Sequence, residues 1–502
     1  MRSSLKIADA WIADGSGAPL VKGEVLIDGG TISAVGRDVS GGCAAERTID
    51  LGGQILAPGF IDAHGHSDLA LFAEPGGFSK VSQGVTTEIA GNCGLCAFCL
   101  TQCNQSHLSD LYANYNFPLT WHDYRSYQEK LAQRDAALHL PALCGHNTLR
   151  AAVAGYEKEK LSAGDLAKMS ALLDAMLEQG ALGLSAGLLY TPGIFSTPGE
   201  LVELMKVVAR HDKIFTTHLR SEGKMLLESL EETFAAARAA NLKRIQISHF
   251  KTAGRANWGK LDAAIELIER ARAEGIKVTV DRYPYTESMT QLSVILPEKW
   301  DALPDRTIQQ KLTSVEECRQ LAAALRASRE KDYWQSVRLV STTGVHCADA
   351  GKTLAEISPD PAMLIVELLA HDAPGTTAAF SGMSPSNMAR ILDLEYCMAG
   401  SDGNALAMGC RDCHPRSFGA IARFLRLRLD RSGDIPESVR RITAFPAETF
   451  QLPAGKIAPG AIADLVAFNP DTVDCRADFT DPSRVATGII TTICQGKIVY
   501  QA

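Results

Sequence analysis

"ILAPGFIDAHGH", residues 55–66, begins as an apolar run and ends on two histidines, His64 and His66, with one glycine between them. Residues two apart on an extended strand share a face, so both imidazoles can grip one ion. The same texture of a short apolar run returns in "VTTEIAGNCG" (85–94), "LPALCGHN" (140–147), "ALGLSAG" (181–187), "KIFTTHLR" (213–220), "RIQISHF" (244–250), "KVTVDRYPY" (277–285) and "YCMAGSDG" (396–403). Most of these runs are followed by an amphipathic stretch. Leu166, Met169, Leu172, Leu173, Met176 and Leu177 fall on one helical face, as do Leu261, Ile265, Ile268 and Ala271. Gly180 and Gly275 stand where those helices should stop. Strands alternating with helices require parallel pairing and right-handed crossovers. Eight such units predict a closed (β/α)8 TIM-like barrel. The alternative is an open doubly wound sheet, but no glycine-rich phosphate fingerprint follows any of the runs.

Outside this core the texture changes. Residues 1–54 and 455–502 read as short alternating strands with glycine turns, and are expected to pair into one small β-sandwich built from both termini. Residues 55–454 would then form the barrel. The long gap between strands seven and eight has a charged middle, about 300–350, expected to be an inserted lid or subdomain.

The chain has 502 residues, 46% hydrophobic and 22% charged, which is ordinary for a soluble protein. Its net charge of −8 gives no reason to expect nucleic acid as a partner. No apolar run reaches the roughly 18–20 residues of a membrane helix. The first residues are broken by Lys6, Asp9 and Asp14 and do not resemble an export signal. A cytoplasmic protein is expected, and its 13 cysteines are read as thiols or metal ligands rather than disulfides.

The polar residues at the strand ends carry the chemistry. Run one ends in His64 and His66 and run two in Cys93; runs five, six and eight bring His218, His249 and Asp402. In a parallel barrel these ends all open on one face. Imidazole, thiolate and carboxylate are a zinc ligand set. A lone strand histidine is commonly a hydrogen-bonded core residue; six metal-competent side chains at five strand ends predict a metal site.

At this point the sequence resembles a known family. "PGFIDAHGHSD" is similar to the opening metal motif of the amidohydrolase superfamily. "GVTTEIAGNCG", "GHNTLR", "GALGLSAGLLYTPG", "THLRSEG", "ISHFK", "DRYPYT", "GSDG" and "HPRSFG" resemble its N-acyl-D-amino-acid deacylase (D-aminoacylase) branch in order and spacing. The resemblance implies a zinc-dependent hydrolase that cleaves N-acyl-D-amino acids to a carboxylate and a free D-amino acid. Many superfamily members bridge two metals with a carboxylated lysine on strand four, and "ALGLSAG" has no lysine. The resemblance assigns that place to Cys93. It implies that Cys93, His218 and His249 hold a tight zinc, and that His64, His66 and Asp402 border a second, weaker or vacant position. It further implies that Asp402 is the general base and acid, that Lys251, Tyr283 and Arg416 hold the substrate carboxylate, and that Tyr190 and His146 line or support the pocket.

Other readings differ in kind. A cyclic-amide hydrolase of the hydantoinase or dihydroorotase type would share the metal motif but normally needs the strand-four lysine. A non-catalytic barrel scaffold would have lost ligands. "CGLCAFCLTQC" (93–103) has the C-x2-C-x2-C-x3-C spacing of an iron–sulfur ligand run, and "CRDCH" (410–414) that of a haem attachment site. Cys93 cannot serve both a barrel zinc and a cluster, and Asn104 stands where ferredoxins place proline. Cys96, Cys99 and Cys103 are therefore expected to be a fortuitous thiol group, with an adventitious second zinc as the alternative.

Overall fold

The computed structural model describes residues 5–39, 45–112, 115–297, 299–300 and 303–502. Each of the eight apolar runs carries one barrel strand: Phe60–Asp62, Val85–Glu88, Cys144–Gly145, Gly183–Gly187, Ile214–His218, Arg244–Ile247, Lys277–Arg282 and Cys397–Ala399. Every neighbouring pair is parallel. Strand one pairs with strand two, and strands three to eight form a continuous sheet. Two gaps remain, and both are bridged. Thr87 with His139 and Ala90 with Ala142 join strands two and three, while Gly65 with Gly403 joins strand one to strand eight. The sheet is therefore closed, which disposes of the open doubly wound alternative.

Local chemistry sets the helices. Ser162 caps Ala163–Glu178 in a reciprocal box with Asp165, and Met169, Leu173, Met176 and Leu177 are buried along one face. Thr197 caps Pro198–Arg210, with proline in the first turn. Both helix-stopping glycines sit at positive φ, Gly180 at 106° and Gly275 at 90°. At the starts of the barrel strands, Ile61, Leu182 and Ile214 pack against Ala447 and Phe450 of the helix Ala444–Phe450, which plugs that end.

Both termini contribute strands to one eight-stranded sheet, around a core that includes Ile7, Val25, Leu56 and Leu465. One boundary differs from expectation. Ile55–Pro58 belongs to this sheet, between Leu5–Ile12 and Leu465–Phe468, so the barrel starts only at Phe60. Gly59 marks the changeover. A Cβ there would lie 2.1 Å from Thr86 Oγ1, so only glycine lets the chain pass from one sheet to the other.

The insertion is also larger than 300–350. Its antiparallel sheet orders Glu287–Gln291, Thr377–Ser381 and Val337–Ser341. A separate core of Leu292, Leu321, Leu325, Leu339, Ile365 and Leu369 lies against it. Glu287–Gln291 is half-buried throughout, so it shows no apolar alternation that would mark a strand in the sequence. Among the described residues, no helix is long and apolar enough to cross a membrane.

Candidate active site

The site is held from below by a buried lysine. Lys80 Nζ lies 2.7 Å from Asp62, 2.9 Å from Glu88, 2.8 Å from Ser401 Oγ and 3.0 Å from the Gly403 carbonyl. Asp62 in turn accepts the backbone N–H of Ser401, and Glu88 accepts the N–H and hydroxyl of Ser67. One ion cluster thus fixes both the His64–His66 segment and the Ser401–Gly403 segment. Removing one partner of such a buried cluster costs about 3–5 kcal/mol.

Above it the metal-competent side chains converge. Donor atoms of His64, Cys93, His249 and Asp402 all lie within 4.8 Å of one another. Cys93 Sγ is 3.4 Å from His64 Nε2 and 3.4 Å from His249 Nε2. Asp402 Oδ1 is 3.5 Å from His64 Nε2 and 3.0 Å from His66 Nε2. Cys93, His249 and Asp402 have φ of 52°, 35° and 51°, a region non-glycine residues rarely enter. Strain of this kind persists only where surrounding structure imposes it, and it collects at functional sites. Burial alone would raise the Cys93 thiol, but the charges of His64 and His249 outweigh it and hold the group well below its ordinary value. Burial likewise opposes ionisation of Asp402, and Arg416, His66, His249 and His64 overcome it.

A second group adjoins the first. Donor atoms of His218, Glu222 and His249 lie within 4.8 Å of one another. The expected tight set of Cys93, His218 and His249 is therefore divided between two groups that share His249. Glu222 joins the second group, with its carboxylate 2.8 Å from His249 Nδ1 and 3.5 Å from His218 Nε2. Neither ring nitrogen of His218 has a hydrogen-bond partner among the described residues, although both are buried. A buried imidazole that makes no hydrogen bond, with only the 3.5 Å approach of Glu222 to its Nε2 and a thiolate nearby, fits a metal of the zinc type.

Glu222 and Asp281 are absent from the sequence-based assignment. His64 Nδ1 lies 3.2 Å from Asp281, which also takes the His249 N–H at 2.9 Å and Gln246 Nε2 at 2.5 Å. With Nδ1 donating to Asp281, the His64 Nε2 lone pair is aimed at Cys93 and Asp402. A carboxylate behind a ligating imidazole sets its tautomer and typically carries 10–100-fold of metal affinity. Glu222→Gln is accordingly expected to weaken metal retention by roughly 10–100-fold, measured by competition with a chromophoric chelator.

The cavity over these groups holds about 560 Å³. Tyr190, Lys251, Tyr283 and Arg416 all line it. Arg416 Nη1 lies 2.8 Å from Asp402 Oδ2, and its guanidinium stacks 4.9 Å over the Tyr283 ring. The Tyr283 hydroxyl is buried with no partner among the described residues. Tyr190 sets its ring against His218 at 4.9 Å. Lys251 is engaged, with its ammonium on Glu222 and 2.8 Å from His249 Nδ1. His146 does not line the cavity. It bonds Glu200 at 2.8 Å, while its neighbour Asn147 holds the carbonyls of Gly187 and Tyr190. Met289, Ile295, Arg329 and Phe380 come from the insertion, which therefore forms part of the cavity wall.

The cysteine motifs do not behave as redox signatures. Cys93 faces the barrel mouth, Cys96 and Cys99 turn to Cys144, and Cys103 is exposed, so the four never converge. In "CRDCH", His414 Nδ1 accepts the Arg416 N–H at 3.0 Å and Nε2 lies 3.2 Å from the Glu287 carbonyl. Both nitrogens are used, which leaves no lone pair for haem iron.

The Amidohydrolase family model matches residues 47–500, and the chain belongs to that family. Within it, the chain is 33% identical over 500 residues to N-acyl-D-glutamate deacylase of Alcaligenes xylosoxydans xylosoxydans, covering 99% of this chain and 93% of that protein. It is 31% identical over 503 residues to D-aminoacylase of the same organism, covering 99% and 94%. The crystal structure of N-acyl-D-glutamate deacylase from Bordetella bronchiseptica, complexed with zinc and a phosphonate mimic of the tetrahedral intermediate, superposes with a TM-score of 0.83 at 31% identity. That match covers 100% of this chain and 97% of the other.

Proposed function

We propose that this chain is a zinc-dependent hydrolase that cleaves the amide bond of N-acyl-D-amino acids, releasing a carboxylate and a free D-amino acid. The observation that carries the proposal is the convergence of His64, Cys93, His249 and Asp402 at the mouth of a barrel that is similar over its full length to such deacylases. The linear amide is preferred to a cyclic one because strand four, Gly183–Gly187, offers no lysine. A scaffold is not favoured, because every expected ligand type is present at the mouth. The 12 described cysteines are all free thiols, which supports a reducing, cytoplasmic setting.

Cys93, His218 and His249 would hold the tight ion, with His64, His66 and Asp402 beside a second position. When bound, zinc supplies Lewis acidity to the scissile carbonyl and to water. The protein supplies the rest. Asp402 accepts a proton from the attacking water as the new C–O bond forms, then delivers it to the nitrogen as the C–N bond breaks. His66 and Arg416 hold the two oxygens of Asp402 and fix its direction. The Tyr283 hydroxyl and Arg416 receive the substrate carboxylate, Arg416 by giving up the long 3.4 Å contact of its Nη2 with the Met289 carbonyl, and Lys251 joins them by releasing Glu222. Tyr190 lines the wall beside His218. With the carboxylate and the acyl group both fixed, the side chain can enter only one pocket, so one enantiomer is selected.

The deciding experiment is release of amine from paired N-acetyl-D- and N-acetyl-L-amino acids. Zinc-dependent release from the D-series is expected. Equal rates on both series, or turnover of hydantoins alone, rejects the proposal. Arg416→Ala is expected to lower kcat/KM by roughly ten- to a hundred-fold, the value of one charge-assisted hydrogen bond, and to loosen the D/L ratio. Arg416→Lys should recover only part, because a point charge does not reproduce the fork. The insertion is expected to act as a lid that excludes water. Limited proteolysis within 300–350 should slow when a phosphonate inhibitor is bound; cleavage indifferent to it would remove the lid assignment.

A further inference from the structure

Three buried thiols stand apart from the barrel mouth. Cys96 and Cys99 come from the loop after strand two, and Cys144 opens strand three. Their sulfurs all lie within 4.8 Å of one another, with Cys99 and Cys144 at 3.7 Å. Cys96 and Cys144 are fully buried and Cys99 nearly so, in an apolar core shared with Phe98 and Leu149.

The loop is pinned so that these sulfurs are held in place. The Cys96 N–H donates to Thr148 Oγ1 at 3.1 Å, Asn104 Nδ2 to the Cys99 carbonyl at 3.0 Å, and Trp121 Nε1 to the Ala97 carbonyl at 2.6 Å. Metal–sulfur bonds of about 2.3 Å in a planar three-coordinate site give sulfur–sulfur edges of about 4 Å, which the observed spacing brackets. The group contains no imidazole or carboxylate. A structural zinc is almost always four-coordinate, and iron–sulfur clusters commonly use four thiolates. Three sulfurs buried in an apolar core suit a softer ion that accepts three ligands.

We propose that Cys96, Cys99 and Cys144 form a second metal site that takes one thiophilic ion of the univalent-copper class in three-coordinate sulfur ligation. Binding releases thiol protons to solvent, with no change in oxidation state. The ion would tie the loop that carries Cys93 to strand three, since Cys96 follows Cys93 by three residues.

The test is an anaerobic titration of the protein as purified with copper(I) buffered by a chromophoric chelator, while its other metals are measured in parallel. One equivalent of copper is expected, with a thiolate-to-copper ultraviolet band and unchanged content of the other metals. The copper absorption edge of the unmodified protein should report sulfur neighbours only, a readout independent of any variant's folding. Cys144→Ser should lose this copper and Cys103→Ser should keep it. Copper uptake matched by loss of another metal would place the ion at the barrel mouth and overturn the assignment. So would nitrogen neighbours at the edge, uptake indifferent to Cys144→Ser, or no uptake. A second zinc lost with Cys144→Ser would overturn the univalent class.

Discussion

Asp402→Asn is expected to keep the fold and most of the tight metal while kcat falls by at least about 10²–10⁴-fold, the usual value of general acid–base help. The structure explains why the loss should be chemical. Asp402 Oδ1 faces His66 and Oδ2 faces Arg416. An asparagine can turn its carbonyl to Arg416 and its amide to a neutral His66 Nε2, so both contacts can survive in altered form. What cannot survive is a group that takes a proton and returns it. Cys93, His218 and His249 remain, so zinc per chain should change little. The buried Arg416 loses its counter-charge, which predicts a lower melting temperature but not unfolding. Zinc content, thermal melting and kcat on an N-acetyl-D-amino acid separate these effects. Turnover near that of the unmodified protein would show that another group moves the proton.

The parts of this site that were legible in the sequence are those that punctuate an apolar run. His64, His66, Cys93, His218, His249 and Asp402 all end such runs, and closure of the barrel gathers them on one face. The supporting carboxylates were not legible, for a physical reason. Asp281 sits within strand seven, and its partner His64 lies 217 residues earlier, so only the closed barrel makes it more than a buried acid. Lys80 stands in a short helix and meets Ser401 across 321 residues. Glu222 lies in "THLRSEG", where an exposed loop acid would look the same. Cys144 shows how a local spacing can mislead. The C-x2-C-x2-C-x3-C run suggested partners along the chain, whereas strand pairing gives Cys96 and Cys99 a third thiol 45 residues beyond Cys99. The same reasoning covers Ile55–Pro58. Its apolar run is continuous with strand one, and only antiparallel pairing with Leu465–Phe468 shows that it belongs to another sheet.

Cys93→Ala is expected to remove the tight metal. The sulfur stands 3.4 Å from two imidazoles, and it is the only anionic donor in the set assigned to the tight ion. Alanine accepts the left-handed backbone no worse than cysteine, and the lost volume is small, so the fold should stay intact. The remaining imidazoles would face one another with the carboxylates of Asp281, Asp402 and Glu222 as counter-charges, a set better suited to binding protons than to one tight ion. Cys93→Ser should not rescue retention, because a neutral hydroxyl does not replace an anionic, soft donor at neutral pH. Cys96→Ala and Cys99→Ala should keep the tight metal at the barrel mouth, since their sulfurs point to Cys144 instead. The measurement is zinc per chain after dialysis against a weak chelator, with circular dichroism to confirm folding. Full zinc in Cys93→Ala would mean that His218, Glu222 and His249 hold the tight ion without the thiolate. Zinc lost in Cys96→Ala as well would mean that the two thiol groups act as one site.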